Sequence, residues 1–131
     1  RAHTQLDCAP SLREAFQQEC FMSEKDAKER GIKTGDAVLM SSPYGKVIRH
    51  AKVLPGMVPG SVALQDGAWM LVDEATGIDH AGCPNILQAP AAAGMGYQSW
   101  TGTLLQVEKY DGELLPDANW PARTIKFVDE G

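Results

Sequence analysis

Glycine, amide and aromatic residues gather in the second half of this 131-residue chain. Residues 65–102 hold Gln65, Asp66, Gly67, Trp69, Asp79, Gly82, Asn85, Met95, Tyr97, Gln98 and Trp100, with further glycines at 77, 94, 96 and 102. Glycine lets backbone N–H groups approach a phosphate or a flat heterocycle closely. Asn and Gln amides pair a donor with an acceptor, matching the edge of a purine or a pterin. A carboxylate such as Asp66 or Asp79 can accept two hydrogen bonds from a guanine's ring N–H and amino group, or it can cap its own loop backbone. Trp and Tyr supply stacking faces. The segment carries little positive charge, so its chemistry suits a large, polar ligand with neutral edges better than a bare anion.

Self-contained catalysis has no matching pattern. Paired Asp-Thr/Ser-Gly loops are absent, and Thr34-Gly35-Asp36 reads as a turn into a strand. There is no G-x-S-x-G elbow and no phosphate-binding P-loop. His3, His50 and His80 are widely spaced, without the i,i+4 pair of a metal site. Cys8, Cys20 and Cys83 are odd in number and form no C-x-x-C, so three unlinked thiols are expected. No protein-borne metal ligand is assigned. Gly60-Ser61 is a dipeptide of the kind that self-processing decarboxylase barrels cleave, but in its Pro-rich setting it reads as a turn into a strand.

The elements that must position these residues are mostly strands. Residues 11–16 suggest a short helical turn within a lead-in that runs to residue 22. Residues 23–31 form a clearer helix: Ser23 caps it, acids come early, Lys28 and Arg30 come late, and Gly31 stops it. Residues 37–42 and 46–53 read as two strands joined at Pro43-Tyr44-Gly45. The imperfect alternation of the second suits a closed barrel better than a flat sheet. Pro55, Gly56, Pro59 and Gly60 make a turn before a strand at 61–64. Residues 66–102 read as a long functional loop. Strands follow at 103–109 and 124–128. There is no internal repeat, and one domain spans residues 1–131.

Composition narrows the function classes. Hydrophobic residues make up 44% and charged residues 22%, ordinary for a globular domain. The net charge of −5 argues against nucleic-acid binding by phosphate neutralisation. No apolar run reaches the roughly 18 residues that span a bilayer, so membrane insertion is not expected. Residues 1–65 carry net +2 and residues 66–131 net −7. Lys46, Arg49 and Lys52, the densest basic spacing, read as a solvated hairpin or as a surface for an acidic neighbour or a diphosphate. The start at Arg1, in mid-pattern, suggests a piece of a longer chain, so a missing targeting signal says nothing of the parent's compartment.

The order of short motifs is more specific than their composition. Arg1-Ala2-His3-Thr4 is followed by Leu12-Arg13-Glu14-Ala15, by Asp26-Ala27, and by Arg30-Gly31-Ile32-Lys33 with Gly35-Asp36. Next come Gly45-Lys46-Val47, Pro59-Gly60-Ser61-Val62-Ala63 and Asp66-Gly67-Ala68-Trp69. Gly77-Ile78-Asp79, Gly82-Cys83-Pro84-Asn85-Ile86-Leu87 and Thr103-Leu104-Leu105-Gln106-Val107-Glu108-Lys109 complete the series. From residue 1 to about 110 this resembles the C-terminal domain of the DMSO reductase family of molybdenum and tungsten oxidoreductases.

The resemblance implies a mainly β fold with short helices, a double-psi β-barrel like that of aspartate decarboxylase. It implies a domain that binds molybdopterin guanine dinucleotide jointly with the other domains of its own polypeptide. The parent would hold molybdenum or tungsten between two such dinucleotides, take its remaining metal ligand from another domain, and carry out two-electron redox chemistry or oxygen-atom transfer. An iron–sulfur cluster elsewhere in the parent and an iron–sulfur electron-transfer subunit are further implied partners. By position, Arg1, His3 and Thr4 match a segment that hydrogen-bonds the pterin and its phosphates. Gln65, Asp66, Gly67 and Trp69 match a loop beside the cofactor, Trp69 either as a contact or as a core anchor. Asp79, Gly82 and Asn85 match the loop that holds the dinucleotide, and Gln98 another polar contact. Gly102 and Ser11 depart from the Asn and Trp common at those places. The alternative reading is a free-standing barrel of the same architecture that binds a protein or a small ligand.

Overall fold

The computed structural model describes residue 9 and residues 17–92, 94–96 and 102–115. Six strands and one α-helix follow in order: β1 (Glu19–Ser23), α1 (Glu24–Glu29), β2 (Ala37–Ser41), β3 (Lys46–Leu54), β4 (Val62–Leu64), β5 (Ile78–Asp79) and β6 (Gln106–Lys109). Short 3-10 helices cover Pro84–Leu87 and Gly94–Gly96. The sheet is mixed, in the order β4-β1-β3-β2-β6, with β5 also on β3. This is the expected mainly β chain with few short helices.

β3 organises the sheet because it is long enough to serve three partners. Its first half pairs antiparallel with β2, from Lys46 opposite Ser41 to His50 opposite Ala37. Its second half pairs parallel with β1, from His50 opposite Glu19 to Leu54 opposite Ser23. β5 adds a short parallel pairing, Lys46 with Ile78 and Val47 with Asp79. The parallel β1–β3 pair requires a crossover, which α1 and β2 provide. The helix starts where the sequence says it should. Ser23 Oγ accepts the Asp26 N–H at 3.1 Å and donates to Asp26 Oδ2 at 2.7 Å. Gly31, at φ +64°, takes the left-handed turn that ends it.

Two apolar clusters flank the sheet. Cys20, Met22, Ala27, Val38, Met40, Val47, Ala51, Leu87 and Val107 form the larger. Ile48 and Ile78, with Leu39, Tyr110 and Leu114 against them, form the smaller. β3 is therefore buried on both sides. That corrects the solvated-hairpin reading: Arg49 alternates in phase with Val47 and Ala51, so it points inward and is fully buried. The reading of residues 17–22 as lead-in is also corrected, because β1 pairs on both its edges. Gly60-Ser61 is a turn, with the Ser61 hydroxyl donating to the Val58 carbonyl at 2.7 Å. The expected helical turn at 11–16 and strand at 124–128 lie outside the described residues.

Candidate functional site

The loop after β5 is built around one carboxylate. Asp79 is fully buried. Its Oδ1 accepts the N–H of Leu71 at 2.6 Å and of Ala81 at 3.1 Å. Its Oδ2 accepts the N–H of Gly82 at 3.0 Å and of Cys83 at 2.6 Å. An aspartate at a strand end can gather the amides two to four residues on in this way. Of the two roles open to Asp79 in the sequence, the geometry shows the capping one. The wrapped loop delivers Pro84 as the first residue of a 3-10 helix and leaves Asn85 exposed on it.

The loop after β4 meets that loop through Arg49. Its Nη2 donates to the Gln65 carbonyl at 2.7 Å and to the Gly82 carbonyl at 2.6 Å. Nε donates to the Gly82 carbonyl at 2.9 Å, and Nη1 to the Glu19 carbonyl at 3.0 Å. Burial lowers the Arg49 pKa to about 10, which still leaves the guanidinium charged at neutral pH. Gly82 sits at φ +90°, and a Cβ there would come within 3.2 Å of Arg49 Cγ and Nε. Only glycine lets the chain turn at that angle and lie against the guanidinium.

Both loops border one cavity of about 560 Å³. Asp66 stands on one wall, Pro84, Leu87 and Gln88 on another, and Asp26 and Arg30 of α1 close by. The apolar floor includes Met22, Leu64, Leu105 and Val107. The edge strands β4 and β6 both contribute residues to it. Arg30 is already paired with Asp26 at 3.6 Å. The buried amide oxygen of Gln88 has no hydrogen-bond partner. An unmet acceptor and a carboxylate lining the cavity, with an exposed Asn next in sequence to the lining residue Pro84, suit a heterocycle that offers N–H donors. On that chemistry the residues present fit a pterin or purine nucleotide.

The structure thus brings Gln65, Asp66, Asp79, Gly82 and Asn85 onto two adjoining loops. Gly67 follows directly, at φ +99°. Trp69 is 48% exposed, which corrects its reading as a core anchor. Arg1, His3, Thr4 and Gln98 lie outside the described residues. Sequence reasoning missed Arg49 and Gln88. Arg49 could have been found from its phase with Val47 and Ala51, and Gln88 from its place three residues after Asn85. Cys20 and Cys83 are free and buried, and burial pushes both thiols up, Cys20 to about 12. Both are neutral thiols at neutral pH, not nucleophiles. Among the described residues no group of three or more His, Cys, Asp or Glu side chains could hold a metal ion. Nor is any described helix long and apolar enough to cross a membrane.

Comparison with known proteins gives one consistent picture. Residues 1–99 match the family described as "Molydopterin dinucleotide binding domain". The chain is 41% identical to dimethyl sulfoxide reductase DmsA of Escherichia coli (strain K12) over 111 residues, covering 83% of this chain and 13% of that protein. It is 31% identical over 123 residues to trimethylamine-N-oxide reductase 1 of the same strain, covering 87% of this chain and 14% of that one. The chain therefore spans only about one seventh of the length of these relatives. Acetylene hydratase from Pelobacter acetylenicus shares the fold, with a TM-score of 0.54, 18% identity, and coverage of 76% of this chain and 15% of that one.

Proposed function

Because the chain belongs to the molydopterin dinucleotide-binding family and is homologous to DMSO and trimethylamine-N-oxide reductases, we propose that it covers one side of a molybdopterin guanine dinucleotide in a larger oxidoreductase. The observation that carries this reading is the convergence of the 65–67 and 79–85 loops at Arg49, with Asp66 and Gln88 lining one cavity. In this reading Asn85, Gln88 and Asp66 bind the edge of the dinucleotide's heterocycle. Asp79 holds the amides of its loop so that Asn85 stays presented. Arg1, His3, Thr4, Gln98 and Trp69 complete the contacts assigned by family position. When bound, the dinucleotide with its molybdenum or tungsten supplies the two-electron redox chemistry, while the protein supplies binding and orientation.

The same reading extends to architecture and assembly. The sheet belongs to a double-psi β-barrel; its two edge strands border a common cavity, as in a sheet that curls toward closure. The rest of the cofactor site, the remaining metal ligand and any iron–sulfur cluster come from other domains of the parent or from an electron-transfer subunit. Replacing Asn85 with Ala in the parent protein tests the assignment. Asn85 is exposed and its side chain packs into no core, so the fold should survive while guanine nucleotide and molybdenum per chain fall. Unchanged content of both would overturn the assignment.

A further inference from the structure

Among the described residues, every hydrogen bond of the buried Arg49 guanidinium goes to a backbone carbonyl, while Asp79 and Asp66 act on its charge without hydrogen-bonding it. Its guanidinium donates to three segments distant in sequence: the Glu19 carbonyl at the head of β1, the Gln65 carbonyl just past β4, and the Gly82 carbonyl in the loop after β5. No carboxylate hydrogen-bonds it among the described residues. Taking a guanidinium out of water is costly unless its donors are met. Moving either loop away would leave charged N–H groups buried without acceptors, and such a loss costs more than a neutral hydrogen bond. The two loops therefore cannot relax independently. Gly82 reinforces this, because its missing side chain is what lets the loop lie on the guanidinium.

We infer that Arg49 is a positioning residue that locks the 65–67 and 79–85 loops into one unit, so that ligand ordering one loop orders the other. The link to a dinucleotide rests on the function proposed above; the coupling between the loops does not. Lysine keeps the charge, but its single ammonium on a flexible stem cannot reproduce the planar fork that reaches three carbonyls. A role confined to charge or core filling would survive that change, whereas a positioning role would not.

The test is hydrogen exchange on the full-length protein that contains this chain, comparing wild type with Arg49→Lys. We expect exchange in peptides covering 65–70 and 80–87 to rise together, by about tenfold or more. Exchange in the β2–β3 hairpin should stay within about twofold. As a control, Met40→Ala should loosen the sheet without singling out the two loops, since Met40 lies in the main core. Gly82→Ala supplies a second arm, needed if Arg49→Lys does not fold. By crowding the guanidinium it should loosen the remote 65–67 segment in wild type, and add nothing there in an Arg49→Lys background. Loosening of one loop only, of neither, or of the whole sheet equally in Arg49→Lys would overturn the inference. So would a Gly82→Ala effect confined to its own loop.

Bound guanine nucleotide, measured on the same samples, separates the two claims. Arg49→Lys should release it about tenfold faster. A wild-type protein that carries none would sink the proposed function, while the exchange data would still decide the coupling. Coupled loops with unchanged nucleotide release would confine the coupling to the apo fold and refute its role in ordering ligand.

Discussion

Asp79 receives four backbone N–H groups on two oxygens, so the carboxylate cannot be exchanged for an amide. Asn offers one oxygen, and its NH₂ would face amide donors where the second oxygen now accepts. Asp79→Asn is expected to destabilise the chain by about 2–4 kcal/mol, the range for hydrogen bonds to a buried charged group plus the donors left unmet. Urea unfolding of the variant checks this, and a loss under about 0.5 kcal/mol, the level of an ordinary surface change, would contradict it. Asp79 was legible as a loop residue because Gly77-Ile78-Asp79 and Gly82 frame a turn. Its four partners were not, because Leu71 reaches it only through the bridge that sets Val72 against Asp79.

At the level of elements, short-range signals translated well. The helix after Ser23, the Pro43-Tyr44-Gly45 turn and the strands on either side of it lie where composition and capping place them. Each depends on contacts within a few residues. Ser23→Ala should cost about 1 kcal/mol, the usual value for an N-cap hydroxyl, and lower the thermal midpoint without changing the sheet's spectroscopic signature. No shift in the midpoint would mean that Asp26 holds the helix start through Gly60 instead, since Gly60 N–H also donates to Asp26 Oδ2 at 2.8 Å. β1 and β5 were hidden for the opposite reason. Glu19–Ser23 is five residues long and Ile78–Asp79 two, too short for periodicity to separate from loop, and both become strands through partners distant in sequence, β3 for both and β4 as well for β1.

For the whole molecule, titration acts in one direction. Burial holds His50 and His80 below the ordinary imidazole value. The unfolded chain then binds more protons than the folded one, so their contribution is complete above about pH 6.5 and declines as pH falls below it. Asp26 is lowered first by the Ser23 hydroxyl and then by the Gly60 N–H, Asp36 by the Lys33 N–H, and Asp73 by the Thr76 hydroxyl. These carboxylates stabilise the fold above about pH 4 and stop doing so as pH drops through their folded values. The urea midpoint should therefore fall on acidification from pH 7 to 5, and fall again below about pH 4. A midpoint that rises between pH 7 and 5 would refute the histidine part. Assembly is tested at the same scale. An antibody to this domain should detect, in source cells, a band several times larger than 14.1 kDa. A band at that size would favour the free-standing binding module instead.

Sequence alone determined what depends on neighbours along the chain and on motif order. The capped helix, the hairpin, the two glycine-rich loops and the family followed from residue types at fixed spacings. Tertiary structure alone decided what depends on distance in space. It turned Arg49 from a surface charge into a buried tie among Glu19, Gln65 and Gly82. It gave Asp79 to its own loop and left Trp69 half exposed instead of in the core. Arg49 shares a face of β3 with Val47 and Ala51 by alternation, but only the apolar clusters around Val47 and Ala51 on one face and Ile48 on the other show both faces covered. Alternation along one strand cannot report that it is covered on both sides.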